Sequence, residues 1–214
     1  MDVSLPLRSL IPSLDSDVLV VLARSESAFG ASQVARLTER GSRSGTTKVL
    51  DRLVEHGLVL AEPTNRGYMY RLNRDHLLMP AVFAALDVRR DLLTRLSSAV
   101  AALRPTPVHA SVFGSFARGD GSQESDIDLL VLTDANLHLD DDSGWQAQVR
   151  QLEDHVYAWT GNRLELLSMD TDGLAKAIAA GERIVEELRS DAVTVHGHDI
   201  RTLISAARAG EGHG

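Results

Sequence analysis

The chain has 214 residues and no cysteine, which excludes a disulfide framework, a cysteine zinc site and a thiol nucleophile. Its 43% hydrophobic content suffices for packed cores; with no apolar stretch long enough for a bilayer and no basic start leading into an apolar run, a cytoplasmic protein is expected. The net charge of −8 is uneven: residues 1–78 hold 10 Lys and Arg against 9 Asp and Glu, and residues 79–214 hold 12 against 21, so any DNA contact must come from the front.

Residues 1–14 carry prolines and form either a loose lead-in or a packing arm. Asp15 and Ser16 suit the cap of a helix running to about Ala23, with Val18, Leu19, Val21 and Leu22 as its apolar set. After a polar break with Gly30, Ala31 to Arg40 reads as a helix with Val34, Ala35 and Leu37 inward, stopped at Gly41. Ser42 caps the next, which runs to about His56 through Val49, Leu50, Leu53 and Val54 and stops at Gly57. Two short helices joined by a tight glycine turn suggest a helix-turn-helix. Leu58 to Ala61 and Tyr68 to Leu72 are strand-like, with Asn65-Arg66-Gly67 in the turn between them.

Helix, helix, helix, hairpin is a winged-helix order, and residues 15–75 resemble the winged helix-turn-helix domains of small bacterial transcription regulators, above all in GTTKVLDRLVEHGLV. That resemblance implies that the helix from Ser42 enters a major groove, with Arg43, Ser44, Thr46, Thr47 and Lys48 near its exposed end and Arg66 at the wing tip. Such hydroxyls and cations suit phosphates, and Arg or Lys can read guanine edges. The other use of such a surface is dimerisation or protein contact.

Leu77 to Leu103 reads as a long amphipathic helix interrupted near Pro80 and ended by Pro105 and Pro107; Val82, Phe83, Leu86, Leu92, Leu93, Leu96, Val100 and Leu103 mark one face. The expected organisation is a first domain over 1–78, a linker helix over 79–104 and a second domain over 105–214.

The second domain opens on the stretch that organises the chain. Val108 to Phe113 is an apolar run, Gly114-Ser115 a turn, Phe116-Ala117-Arg118-Gly119 the start of a short polar segment, and Ser125-Asp126-Ile127-Asp128 leads into a second apolar run, Leu129 to Leu132. Alternation along a strand points Asp126 and Asp128 one way and Ile127 and Leu129 into a core. Two neighbouring carboxylates repel, and a divalent cation between them relieves this. A glycine turn lets backbone N–H groups approach a phosphate. No Gly-Lys-Ser/Thr follows, so the turn is not a Walker A loop.

The pattern Gly114-Ser115-x-Ala117-Arg118-Gly119, six residues, then Asp126-x-Asp128 resembles the signature of the DNA polymerase β-type nucleotidyltransferase superfamily, in its minimal nucleotidyltransferase branch. The resemblance implies that Gly114, Ser115, Arg118 and Ser125 bind the nucleotide, with Arg118 either on phosphate or bracing the loop through a carboxylate. It implies Mg²⁺ or Mn²⁺ on Asp126 and Asp128, an NTP substrate, and a third carboxylate on a neighbouring strand.

Asp140-Asp141-Asp142 reads as a solvated loop before a helix from Trp145 to Thr160, with Val149, Leu152, Val156 and Trp159 inward. Asn162 to Met169 reads as a strand on which Glu165, between Leu164 and Leu166, faces the side of the Asp126/Asp128 pair. Members of the superfamily usually have aspartate as the third acid. Here Glu165 either binds metal and serves as the base, coordinates differently, marks a weakened activity, or is a surface residue beside Arg163. The remainder reads as helices around Leu174 to Ala180 and Glu182 to Leu188, a strand Val193 to Val195, a last helix from Asp199 to Ala209, and a mobile GEGHG tail. The eight histidines, including His196 and His198, make no zinc set at ligand spacing.

The expected fold class is α/β in the broad sense, α+β: an N-terminal winged helix-turn-helix plus a mixed-sheet polymerase β-like nucleotidyltransferase domain. Three functions follow: an NMP transferase, with a protein such as a toxin as acceptor, directed by a DNA-binding winged helix; a transcription regulator whose transferase fold senses nucleotide without turnover; and, least favoured, an enzyme modifying a small molecule. No membrane partner is expected, and a homodimer suits a palindromic DNA site.

Overall fold

The structure, a computed structural model, describes residues 1–38, 40–134 and 143–211. The aspartates at 140–142 and the last residues of the glycine-rich tail, for which a loop and a mobile end were expected, lie outside the described residues. The chain divides into two compact units, Asp2 with Ser4–Arg89, and Met1 and Val3 with Arg90–Gly214. The division falls within one helix, Met79–Ala102.

The first unit runs α1 (Leu7–Leu10), α2 (Leu14–Ala23), β1 (Phe29–Gly30), α3 (Ala31–Leu37), α4 (Arg43–Glu55), β2 (Val59–Thr64), β3 (Gly67–Leu72) and the start of α5 (Met79–Ala102). The proline-bearing lead-in is a packing arm, since Leu7 is buried and Arg8 pairs with the buried Asp17 of α2. Ser13, not Asp15 or Ser16, is the N-cap residue of α2; Asp15 in its first turn accepts a hydrogen bond of 2.6 Å from Arg52 of α4. Ser42 caps α4 as expected, its hydroxyl accepting from the Gly45 N–H at 3.1 Å.

The sheet order is β1-β3-β2, all antiparallel, and β2 and β3 pair from Val59 opposite Leu72 to Thr64 opposite Gly67. Three features differ from the sequence expectations. β1 is too short to carry an alternation signal and forms because Phe29 finds Tyr70 on β3. Leu37, expected inward, is 53% exposed as the last residue of α3. Pro80 does not interrupt α5; it sits in the first turn, where its missing N–H needs no partner.

The second unit continues α5 from residue 90 and adds β4 (His109–Phe113), α6 (Gly114–Arg118), β5 (Ile127–Thr133), α7 (Ser143–Thr160), β6 (Leu164–Asp170), α8 (Thr171–Ala180), α9 (Arg183–Asp191), β7 (Val193–Gly197) and α10 (Ile200–Glu211). Its sheet is mixed, in the order β6-β5-β4-β7, with β5 and β6 parallel and the other pairs antiparallel. The parallel pair needs a crossover, which α7 supplies. Both faces of the sheet are covered, which is why β5 reads as an unbroken apolar run. Ile127, Leu129 and Val131 pack in one core with Leu92, Leu96 and Val100 of α5 and Trp145 and Val156 of α7. Phe113, Leu130 and Leu132 pack in the other with Leu174 of α8, Leu188 of α9 and Ile200 of α10. Among the described residues no helix is long and apolar enough to cross a membrane.

Candidate functional sites

The motif residues collect at one edge of the second sheet, where β4 ends and β5 and β6 begin. Asp126 precedes β5 and is exposed; Asp128, half-buried, lies opposite Phe113 on β4 and opposite Glu165 on β6. Ile127 and Leu129 are fully buried, so the alternation read from sequence sets both aspartates on the other face. Glu165 is exposed. Burial, then the carboxylates of Glu165, Asp126 and Glu187, push the Asp128 carboxyl above its usual range, with Arg118 acting weakly the other way.

Gly114 turns the chain from β4 into α6 at φ +68°, and a Cβ there would run into the Asp128 carboxylate. Both facts demand glycine, and together they bring the α6 backbone onto the acid. Ser115 follows, and its carbonyl accepts the N–H groups of Gly119 and Asp120 at 3.0 and 3.1 Å, closing α6 through the left-handed Gly119. The Arg118 side chain donates to Asp120 at 3.2 Å and to Asp191 of α9 at 3.0 Å, so here it braces the loop. The Ser190 hydroxyl and Arg118 hold the Asp191 carboxyl below its usual range. Ser125 turns its hydroxyl into its own loop, accepting from the Ser122 N–H at 2.8 Å.

Sequence reasoning missed three contributors. Asn162, 3% exposed, donates to the carbonyls of Gln123 and Ser125 at 3.2 and 3.0 Å and so fixes the loop that carries Asp126. Its only sequence signal was the Gly161-Asn162 pair after a helix. Glu187 and Asp191 stand one turn apart on α9, and no local pattern announces that this helix turns toward β5. A cavity of about 360 Å³ beside Asp126 is bordered by Tyr157, Asn162 and Arg163.

Carboxylates supply the hard oxygen donors that Mg²⁺ favours. Among the described residues no three or more His, Cys, Asp or Glu side chains are grouped to hold a metal ion, so no closed three-acid cage exists as the side chains stand. Mg²⁺ asks less of a protein, using one or two carboxylates with substrate phosphates and water. The repelled pair at Asp126 and Asp128 fits that smaller demand. The histidines have another use: buried His109 is held between the His198 carbonyl at 2.5 Å and the Ser111 hydroxyl at 3.0 Å.

In the first unit, a cleft of about 550 Å³ lies between α3, the start of α4 and the β2–β3 hairpin, lined among others by Arg36, Arg43, Thr47, Arg66 and Tyr68. Arg43, Ser44, Lys48 and Arg66 are exposed and Thr47 is half-buried. Thr46 is a correction: it is fully buried, its hydroxyl donating to the Ser42 carbonyl at 3.2 Å, because it falls on the core side of α4 with Val49 and Leu50. It cannot touch a groove.

Three solved structures show a distant likeness. A toxin-antitoxin with AMP-PNP matches at 16% identity over 58% of this chain and 86% of that one, with a TM-score of 0.36. A mutant of the toxin-antitoxin MntA-HpeT matches at 13% over 56% and 87%, at 0.39. TrmBL2, an archaeal chromatin protein described with a novel mode of DNA binding, matches at 12% over 99% and 97%, at 0.30. No curated protein sequence matches the chain. The family model described as the nucleotidyltransferase domain matches residues 93–185, a span that takes in α6, β5 and most of the elements around the acidic edge. Residues 93–185 are therefore similar to a nucleotidyltransferase domain.

Proposed function

We propose that the chain transfers a nucleoside monophosphate from an NTP to an acceptor hydroxyl, and that its first unit is a winged helix that binds DNA. The observation that carries the transfer reading is the register of Asp128 against Glu165 at the edge where Gly114 closes on the same Asp128 carboxylate. Gly114 and Ser115 hold the β- and γ-phosphates through backbone and hydroxyl donors. Asp126 and Asp128 would hold Mg²⁺ or Mn²⁺, which when bound neutralises charge on the triphosphate. Glu165 accepts the proton of the acceptor hydroxyl; that oxygen bonds to the α-phosphorus while the bond to the β-phosphate oxygen breaks and pyrophosphate leaves. The cavity bordered by Tyr157 and Arg163 gives the acceptor room beside Asp126. Ser125 serves through its loop, which sets the position of Asp126.

For the acceptor we propose a hydroxyl on a protein partner, in keeping with the minimal nucleotidyltransferase resemblance. The test is incubation of the chain with each α-labelled NTP, Mg²⁺ and cell lysate, beside Asp128→Ala. A labelled band lost with Asp128→Ala supports the reading, and equal labelling by both proteins sinks it.

The DNA reading is supported by the cleft, where Arg36, Arg43 and Arg66 line one surface and no ion pair engages them among the described residues. Arg43, Ser44, Thr47, Lys48 and Arg66 would meet phosphates and base edges, in a cytoplasmic protein acting as a homodimer on a palindrome. The open three-acid group favours a second reading, in which nucleotide is sensed without turnover. Calorimetry with ATP and Mg²⁺ beside a pyrophosphate assay separates the two, because a sensor binds and releases nothing.

A further inference from the structure

We propose that Asp191 is a positioning residue of the nucleotide site: by gripping Arg118 it ties α6, and with it Gly114 and Ser115, to α9. The proposal rests on the transfer reading above for what α6 holds. α6 has five residues, too few to keep a helical shape unaided. Phe116 anchors it in the core. Arg118 is its other anchor, and its two carboxylate partners differ. Asp120 is two residues away, 62% exposed, and belongs to the same loop. Asp191 is 73 residues away and 21% exposed, so this contact links α6 to a separate element.

The place of Asp191 on its own helix argues the same way. It is the last residue of α9, where a carboxylate opposes the helix dipole. The terminal carbonyls of α9 are satisfied by another side chain, since Arg201 donates to the Arg189 and Ser190 carbonyls at 2.9 and 3.3 Å. Asp191 thus takes no part in capping those carbonyls, and its hydrogen-bonded ion pair is with Arg118. Residues 186–191 lie beyond the matched nucleotidyltransferase segment.

The experiment uses the full chain as wild type, Asp191→Asn, Asp191→Glu, Arg118→Gln and the double variant Arg118→Gln/Asp191→Asn. Calorimetry with ATP, GTP, CTP and UTP in Mg²⁺ gives affinity, and hydrogen exchange without nucleotide gives the protection of the Gly119 and Asp120 amides, which close α6 on the Ser115 carbonyl. Asp191→Asn is expected to weaken NTP affinity on the order of fivefold, the scale of one partly exposed ion pair, and to speed exchange at both amides. Asp191→Glu restores part of each, and the double variant behaves as Arg118→Gln alone. Unchanged affinity and exchange in Asp191→Asn overturn the proposal, as does an equal loss when Arg118 is already Gln. If the wild type binds none of the four NTPs, the transfer reading fails by itself, and exchange at the two amides then decides the role of Asp191: unchanged protection overturns it.

Discussion

At the scale of single residues, Gly114 and Asp128 are coupled by contact. A methyl group at 114 meets both a left-handed backbone and the Asp128 carboxylate. Gly114→Ala is expected to cost about 1–3 kcal/mol, seen as a lowered Tm. Part of that loss returns in Gly114→Ala/Asp128→Ala, because the second change removes the obstructing carboxylate but leaves the backbone strain. Asp128 has its own pH signature. Its carboxyl is raised above the ordinary value of 3.8, so the fold favours the protonated form. That contribution is fully present below the unfolded value and is lost as pH rises through the folded one. In EDTA, Asp128→Asn should therefore melt above wild type at neutral pH, with the difference shrinking as the pH approaches 3.8 and vanishing below it. A variant less stable than wild type at pH 7 would contradict this.

At the scale of elements, the acidic edge was legible because it is built from local patterns. Alternation in Asp126-Ile127-Asp128-Leu129 fixed which way the acids face, and the leucines around Glu165 gave that strand its side of the sheet. What escaped the sequence depends on contacts between distant elements. α9 reaching Arg118 and Asn162 clamping the Gln123–Ser125 loop have no periodicity of their own, and Thr46 looked available because hydroxyls suit both the core side and the groove side of a helix. Asn162→Ala should lower stability by about 1–3 kcal/mol, by removing the two hydrogen bonds through which this buried side chain ties down the loop; denaturant unfolding measures it. On the hairpin, Arg66→Ala should weaken DNA binding evenly across sequences and reduce the slope of log affinity against log salt by about 1. An unchanged slope would place Arg66 off the phosphates.

At the scale of the whole molecule, one chain carries an arginine-lined cleft in its first unit and, in its second, a segment that matches the nucleotidyltransferase family model. The excess of acid over base after residue 78 fits the proposed carboxylate site that acts with a cation, and leaves the proposed DNA contact to the nearly neutral front. The central claim is that Asp126 and Asp128, beside Glu165 and the Gly114 turn, carry out transfer from an NTP. Pyrophosphate release, followed for purified wild type and Asp128→Asn with each NTP, Mg²⁺ and the lysate fraction that takes up label, tests it most directly. The account predicts release that needs both the cation and the fraction and falls by 10²-fold or more, the order expected when an essential catalytic group is lost, in the variant. Equal release from the two proteins, or none from wild type while it binds the nucleotide, would contradict it.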